Sequence, residues 1–396
     1  MAVTIHEGDN RVSLRQLIDA GVRVHSVVTD PPYGLTSVTK RFNNSPRNEA
    51  TENQETPFGR TGRGFMGQMW DGSGIERDPE FWRLVWEIML PGAYCVAFSS
   101  SRTGHWQACA MESAGFIMHP MLGWVTGQGF PKATKPKFDN ADDAAAWEGW
   151  AYGGQALKPA LEPIYVGQKP FSEKNGALNL LKHGVGAINI DSCRVTLDAS
   201  VDDPRLGGAG TWKTDKAAQN VYEGGYVGKD IASSAKGRHP ANLLHDGSPE
   251  VVALFPQTPG SGPARTLNRN AKERDDGYGM DTNGDTADLR DAGTGSAARF
   301  FNAFPPDADP IFYQPKATKA DRAGSKHPTV KPIALMRWLC RLVTPPGGMV
   351  LDPFGGSGTT AEAARLEGFD CTLMEAEPDY VRDLYRRFPV EGGIFG

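Results

Sequence analysis

The stretch Met349-Val350-Leu351-Asp352-Pro353-Phe354-Gly355-Gly356-Ser357-Gly358-Thr359-Thr360 decides the fold. A short apolar run is followed by a glycine-rich turn and then by a helix-like segment that ends at Gly368. This order is typical of a strand–turn–helix unit in a parallel α/β sheet, where backbone N–H groups at the helix start can face a ligand. Glu375 ends the next apolar run, about 20 residues on, where a carboxylate can bind ribose hydroxyls.

Similar apolar runs, bounded by turn residues and separated by helix-like segments, occur along the rest of the chain. The predicted strands are Val3 to Glu7, His25 to Thr29, Tyr94 to Phe98, Pro120 to Thr126, Glu162 to Gly167, Met349 to Leu351 and Cys371 to Met374. This alternation predicts an α/β fold, a Rossmann-like three-layer sandwich with a mostly parallel, seven-stranded sheet. Because ligands bind beyond the carboxyl ends of such strands, four carboxylates at strand ends predict one site: Asp9, Asp30, Asp352 and Glu375.

Composition limits the class of protein without identifying it. The apolar runs are too short to cross a bilayer and no signal peptide precedes them, so we expect a cytoplasmic protein. Five scattered cysteines, without a Cys-x-x-Cys pair, predict neither a disulfide framework nor a metal site. The net charge of −5 is unusual for a DNA-binding protein, although basic residues cluster at 132–137 and 316–331. Those clusters are either nucleic-acid contacts or ordinary solvated surface.

A second motif, Asp30-Pro31-Pro32-Tyr33-Gly34, follows an early predicted strand. An exocyclic amine on a base is a poor nucleophile because its lone pair is delocalised into the ring. The Asp30 carboxylate and the carbonyl of Pro31 or Pro32 can accept its two N–H groups and direct the lone pair outward, and the prolines hold that geometry fixed. Tyr33 can stack on a base turned out of a duplex. The alternative interpretation is a plain turn.

Two other kinds of nucleotide-binding loop are alternative interpretations of the glycine-rich turn. A phosphate-binding P-loop needs a lysine after the glycines, whereas this chain has Gly358-Thr359-Thr360, so ATP hydrolysis is disfavoured. A dinucleotide site fits the looser spacing of Gly356, Gly358 and Ala361, and spacing alone does not exclude it.

Together, and in this order, the two motifs resemble those of amino-methylating DNA methyltransferases that use S-adenosyl-L-methionine. More narrowly, they resemble the permuted (beta) group, in which the catalytic loop precedes the cofactor loop. Five further segments are similar to a phage- and prophage-associated set of site-specific enzymes: residues 127–132, 157–163, 186–191, 237–242 and 298–301. Glutamine-methylating enzymes have a similar loop, but it begins with Asn and follows the cofactor loop.

The resemblance implies a circularly permuted fold in three parts. Residues 1–169 would form the catalytic part, 170–310 a large target-recognition insertion that is partly loop or disordered, and 311–396 the cofactor-binding part. It implies that the partner is double-stranded DNA and that the protein acts in the cytoplasm of a bacterium or of a phage host. A homodimer is possible under the same resemblance. Phe130 is a candidate second stacking partner for the flipped base or, alternatively, a packing residue. Candidate base or phosphate contacts are Arg194, Arg238 and Asn242.

The resemblance also assigns roles to single residues. Catalysis would depend on Asp30, Pro31, Pro32 and Tyr33, with the backbone role at Pro32. The cofactor would contact Asp9, Lys331, Asp352, Phe354, Gly355, Gly356, Ser357, Gly358, Thr359 and Glu375. Within that set Asp9 matches a position near adenine, Glu375 the ribose-binding acid, and Lys331 a segment beside the methionine moiety or, alternatively, a simple helix entry. The leading Asp, in place of Ser, favours N6-adenine; N4-cytosine methylation and a catalytically silent DNA-binding relative are the alternatives.

Overall fold

A nine-stranded mixed sheet is the main element of the computed structural model, which describes residues 1–35, 71, 73–127, 129, 131–196, 237–258, 295–304, 323–324 and 330–389. The strands in chain order are β1 (Val3–Glu7), β2 (Val24–Thr29), β3 (Met89–Phe98), β4 (Ile117–Val125), β5 (Lys132–Thr134), β6 (Tyr152–Gln155), β7 (Leu161–Gln168), β8 (Leu243–His245), β9 (Gln257–Thr258), β10 (Gly295–Ser296), β11 (Asn302–Ala303), β12 (Met349–Asp352) and β13 (Asp370–Glu375). The large sheet has the order β1-β13-β12-β2-β3-β7-β4-β8-β11, while β5 pairs with β6 and β9 with β10.

The helices are α1 (Asn10–Asp19), α2 (Pro79–Ile88), α3 (Gly104–Ser113), α4 (Ala141–Ala146), α5 (Gly176–His183), α6 (Pro249–Val252), α7 (Ile333–Val343), α8 (Thr359–Glu367) and α9 (Pro378–Arg387). Short 3₁₀ turns cover Ile75–Arg77, Asp191–Cys193 and Ala297–Phe300. Across the described ranges no helix is both long enough and apolar enough to span a lipid bilayer.

Helix α2 shows how local sequence determines these elements. The side chain of Asp78 accepts the N–H of Glu80 at the helix start, and Pro79 occupies the first turn, where no N–H is needed. The apolar residues recur at helical spacing, and they are the ones that become buried: Phe81, Trp82, Val85 and Ile88.

The sheet is buried on both faces, which explains why its strands read as apolar runs. Successive side chains of β3 enter different core clusters, since Val96 and Phe98 join one cluster whereas Cys95 and Ala97 join the other. Buried residues of α7 and α8 belong to the first cluster, and those of α1, α2 and α3 belong to the second. Helices therefore cover both faces, as a three-layer α/β arrangement requires.

Strand direction places the loops that matter at one edge. Strands β1, β13, β12, β2 and β3 pair in parallel, so their carboxyl ends lie together. Strand β7 runs antiparallel to β3 and therefore begins at that same edge. The loops after β2 and β12 leave from neighbouring strands, which brings residues 30 and 353 close despite their separation in sequence.

All seven predicted strands are present, but the prediction of a seven-stranded sheet was wrong, since the sheet has nine strands. Two very short strands, β8 and β11, extend it beyond β4. Strand β3 also begins at Met89 rather than Tyr94 and runs through Pro91 and Gly92. The backbone groups there are satisfied without a regular ladder, because Asn179 Nδ2 donates to the Pro91 carbonyl and Gly92 N–H to that of Lys169.

The chain divides into two compact units. The larger contains Met1–Cys193, Asn242–Val251 and Ala303–Gly396, and the smaller contains Arg194–Ala241 and Val252–Asn302. In the described part of the smaller unit, β9 pairs with β10 and the rings of Phe255 and Phe301 lie 5.4 Å apart. The smaller unit falls inside the predicted insertion, whose role in target recognition stays a prediction.

A buried carboxyl group joins the ends of β2 and β12. Asp352 Oδ1 accepts hydrogen bonds from Thr29 Oγ1 at 2.7 Å and from the Phe354 N–H at 3.0 Å. The side chain is 2% exposed, and burial raises the pKa of Asp352 from 3.8 to about 7, although the hydroxyls of Thr360 and Thr29 act to lower it.

We expect Leu335→Ala to lower the free energy of unfolding by about 2–5 kcal/mol, because Leu335 is fully buried in the cluster that joins α7 to the sheet. Chemical denaturation measures this loss. Leu181→Ala is the matched control, since Leu181 is 85% exposed, and its effect should stay within about 0.5 kcal/mol. Equal losses in the two variants would contradict this description of the core.

Replacing Asp352 with Asn should change how stability depends on pH. Between pH 3.8 and about 7 the folded chain holds a proton on Asp352 that the unfolded chain has released, so the free energy of unfolding falls as pH rises. The slope from one such group is at most about 1.4 kcal/mol per pH unit. Asn can still accept a hydrogen bond but does not titrate. The free energy of unfolding of Asp352→Asn minus that of the parent should therefore increase from about pH 5 to about pH 7. If urea unfolding gives the parent and the variant the same dependence of the free energy of unfolding on pH, the raised pKa of Asp352 is contradicted.

Candidate active site

The loop after β2 is held by hydrogen bonds to its backbone. The carboxylate of Asp71, itself 1% exposed, accepts the N–H groups of Tyr33 at 2.7 Å, Gly34 at 3.0 Å and Leu35 at 3.1 Å. Thr103 Oγ1 donates to the Tyr33 carbonyl at 2.6 Å. Together with the fixed φ angles of two buried prolines, these contacts leave the loop little conformational freedom.

The ammonium group of Lys331 lies at the centre of a buried polar network. Its Nζ donates to Asp30 Oδ2 at 2.6 Å and to the Tyr33 hydroxyl at 3.0 Å, and it lies 3.6 Å from Glu162 Oε2. The Tyr33 hydroxyl in turn donates to Glu162 Oε2 at 3.1 Å. Lys331 is 6% exposed, and its Nζ lies 4.8 Å from the centre of the Phe98 ring.

Burial and charge oppose each other in this network. Burial raises the pKa of Asp30, while the Lys331 ammonium lowers it and Glu162 raises it. Burial alone would lower the pKa of Lys331, but the carboxylates of Asp30 and Glu162 raise it above its ordinary value. Burial and the same two carboxylates hold the pKa of Tyr33 well above its usual range. Lys331 is therefore a stable cation and Tyr33 a neutral donor.

One oxygen of Asp30 stays available. Asp30 Oδ1 is buried and has no hydrogen-bond partner among the residues that the structure describes. An unpaired buried carboxylate oxygen is costly, so its presence next to an Oδ2 that accepts from Lys331 indicates an acceptor position for a donor from outside the chain.

The loop after β12 is a tight turn whose shape requires glycine. Gly355 N–H donates to the Met374 carbonyl at 2.7 Å, which ties the turn to β13. Gly358 has φ of +76°, and a Cβ there would lie 2.7 Å from the Phe388 ring and 2.8 Å from Leu384. Helix α8 begins at the next residue, and among the described residues no side chain caps its N-cap position.

Glu375 and the start of α1 border this turn. Glu375 Oε2 accepts the Gly356 N–H at 2.7 Å and Oε1 accepts the Glu377 N–H at 2.8 Å, while burial raises the pKa of Glu375. Asn10 Nδ2 donates to the Pro353 carbonyl at 3.0 Å. Asp9 is exposed and accepts the Arg11 N–H at 2.7 Å as the N-cap of α1.

Other residues predicted for the cofactor support the turn from within. Asp352 bonds inward to β2, and the Phe354 ring packs 5.3 Å from that of Phe81. The hydroxyls of Ser357 and Thr359 lie 2.8 Å apart and both side chains are buried.

The structure thus separates the predicted site residues into two neighbouring groups at one sheet edge. Asp30 and Tyr33 meet Lys331, which the resemblance had placed beside the cofactor. The glycine turn meets Glu375. Two contributors were missed by sequence reasoning: Glu162, a charge at the start of an apolar strand, and Asp71, which carries no sequence signal.

The weaker candidates lie elsewhere. Phe130 falls outside the described residues. Asn242 Nδ2 donates to the Met121 carbonyl of β4. Arg238, in the smaller unit, places its guanidinium 5.0 Å from the centre of the Phe300 ring.

Comparisons with known proteins agree with this motif set. Type II methyltransferase M.HindIII of Haemophilus influenzae is 27% identical over 209 residues, which make up 48% of this chain and 65% of that relative. The chain therefore spans less than two thirds of that protein's length.

Two solved structures align with nearly the whole chain at low identity. PvuII DNA methyltransferase (cytosine-N4-specific) is 14% identical, with a TM-score of 0.43 and coverage of 99% of this chain and 88% of its own. The M1.HpyAVI–SAM complex is also 14% identical, with a TM-score of 0.41 and coverage of 98% and 100%. Because TM-scores below 0.5 do not establish a shared topology, the family assignment depends on the family model. The N6_N4_Mtase model, described as DNA methylase, matches residues 24–386, and the chain therefore belongs to that family.

Proposed function

We propose that this chain transfers the methyl group of S-adenosyl-L-methionine to the N6 amine of an adenine turned out of double-stranded DNA. The observation that carries the proposal is the buried Oδ1 of Asp30, which has no hydrogen-bond partner among the described residues and lies at the sheet edge where the glycine turn also lies. Family membership supplies the reaction class.

The loop after β2 can activate an amine without a covalent nucleophile. Asp30 Oδ1 would accept one N–H of the amine and the Pro32 carbonyl the other, which aims the nitrogen lone pair away from the ring. Because both acceptors are held in place before the substrate arrives, charge that develops on nitrogen needs no rearrangement of the site. Asp30 Oδ1 can also receive the proton that the methylated nitrogen then loses.

Tyr33 supports the base rather than the proton transfer. Lys331 and Glu162 hold its hydroxyl, so its ring keeps one orientation and can stack on a base taken from the duplex. The raised pKa of Tyr33 keeps its phenol protonated at neutral pH, so it does not serve as the base that takes the proton from the amine.

The second group of residues fits the cofactor. Glu375 is a largely buried carboxylate suited to ribose hydroxyls, and the turn at Gly356 and Gly358 leads into a helix start that suits a carboxylate. When bound, S-adenosyl-L-methionine supplies a methyl group on a cationic sulfur, so the N–C bond forms while the C–S bond breaks with its electrons left on sulfur. Asp352 and Phe354 hold the turn in place through their inward contacts with Thr29 and Phe81.

Adenine is favoured over cytosine by the leading Asp30, and N4-cytosine methylation by the same groups is the alternative. We place the chain in the permuted (beta) group on the order of its motifs, and among phage-type, site-specific enzymes on the five further segments that are similar to them. The smaller unit is our proposal for part of the target-recognition region. Exposed Lys135 and Lys137 can contact phosphates, whereas buried Lys331 no longer belongs to a basic surface cluster.

One experiment tests the reaction and the base together. The protein is incubated with duplex DNA and methyl-labelled cofactor, and the DNA is digested to nucleosides. Label in N6-methyladenine supports the proposal, label in N4-methylcytosine selects the alternative, and no label on any DNA rejects the activity.

Asp30→Ala should lower methyl transfer by at least about 100-fold, because it removes the acceptor that is positioned for the amine. Cofactor affinity should stay within a few-fold of the parent, since Asp30 lies outside the glycine turn. Labelled-methyl incorporation and isothermal titration with the cofactor measure the two effects. Near-normal incorporation in this variant would refute the role of Asp30.

Glu375→Ala should weaken cofactor binding by about 10-fold or more, the equivalent of about 1.4 kcal/mol, because a buried hydrogen-bonding carboxylate is lost. Titration with S-adenosyl-L-methionine measures the dissociation constant. Glu377→Ala is the matched control, since that side chain is exposed two residues away. Equal dissociation constants for the two variants would remove Glu375 from the cofactor site.

A further inference from the structure

The network around Lys331 has a role that the proposed methyl transfer does not itself explain. An ammonium group, two carboxylates and a phenol are packed together, with one carboxylate oxygen left free. We propose that Lys331 and Glu162 are positioning residues whose charges have opposite effects on Asp30. Lys331 favours the ionised carboxylate and turns it toward the amine, whereas Glu162 disfavours the ionised form while it holds Lys331 and Tyr33 in place. This inference rests on the proposed function.

Geometry gives Lys331 a positioning role. Its Nζ donates hydrogen bonds to Asp30 Oδ2 and to the Tyr33 hydroxyl and forms an ion pair with Glu162 Oε2 at 3.6 Å, so the ammonium group has three partners within the protein. A charged hydrogen bond of 2.6 Å to Oδ2 fixes the rotation of the Asp30 carboxylate, and Oδ1 then takes a single orientation.

Glu162 completes the arrangement from a different strand. It lies at the start of β7, where it accepts the Tyr33 hydroxyl and faces the Lys331 ammonium, with its side chain 14% exposed. Without this second carboxylate, the cation and the phenol would lose a partner at the side opposite Asp30.

Charge determines whether Asp30 can act as an acceptor at neutral pH. The ionisable groups that face it are Lys331 before α7, Glu162 on β7, Tyr33 in its own loop and Asp352 at the end of β12. Burial and Glu162 favour the protonated form of Asp30, whereas Lys331 favours the anion. A protonated Asp30 would carry a donor where the amine needs an acceptor, so activity should fall below the pKa of Asp30.

The alternative role for Lys331 is contact with the cofactor, which its place in the family motif implies. The two roles differ in what they change. A cofactor ligand would affect the dissociation constant of S-adenosyl-L-methionine, whereas a positioning residue would affect the acid limb of the pH–rate profile.

The test measures kcat/KM for methyl transfer across pH, together with cofactor affinity, in the parent protein and three variants. In Lys331→Met the acid limb should move to higher pH by about 1 to 3 units, because the cation that favours ionised Asp30 is gone. In Glu162→Gln the limb should move to lower pH, because an anion that disfavours ionised Asp30 is gone. Lys331→Arg, which keeps the charge, should keep the limb near that of the parent.

Arg337→Gln is the matched control. Arg337 lies in α7, close in sequence to Lys331, and pairs with Glu367 at 2.7 Å outside the network. Its acid limb should equal that of the parent, and cofactor affinity should stay within a few-fold in all variants.

Each result either supports the inference or overturns it. Opposite shifts in Lys331→Met and Glu162→Gln support it. Unshifted limbs, shifts of the same sign, or weaker cofactor binding in Lys331→Met without a shift would overturn it. If Lys331→Met does not fold by circular dichroism, Glu162→Gln still decides the inference, since an acid limb that fails to move to lower pH in that variant would overturn it. A parent protein that methylates no DNA would instead reject the proposed function.

Discussion

The parallel pairing of β2 with β12 is the contact on which the site depends. Leu351 pairs with Val27, so two loops that lie more than 300 residues apart leave from adjacent strand ends. Asp352 closes the junction by bonding to Thr29, and the electrostatic influence of Asp30 on Asp352 shows how near the two loops are. An amine-binding loop and a cofactor turn can serve one reaction only if this pair of strands stays in register.

Much of the architecture was predictable because burial on both faces leaves a strong trace in sequence. A strand such as β3 must be apolar at every position when helices cover each face, and such runs stand out against polar loops. The shortest strands leave no such trace. Leu243–His245 and Asn302–Ala303 have too few residues for any periodicity, and their pairing is decided by tertiary contacts.

The site was only partly predictable for a related reason. Asp30 and Glu375 follow strands, and parallel strands end at one edge, so their convergence follows from topology. Lys331 precedes a helix, and the sequence does not show whether its long side chain lies beside Asp30 or beside the cofactor turn. The antiparallel direction of β7, which brings Glu162 to the same edge, is a property of the sheet rather than of any local pattern.

The three contacts of Asp71 have a consequence for how such a chain can diversify. Leu35 and Asp71 are joined by a hydrogen bond of 3.1 Å although they lie 36 positions apart in sequence. Doubling the length of a segment closed in this way costs only about 0.6 kcal/mol. A connection of different length between Leu35 and Asp71 would therefore change the free energy of closing the loop only slightly, while the three hydrogen bonds to Asp71 keep the amine acceptor in place.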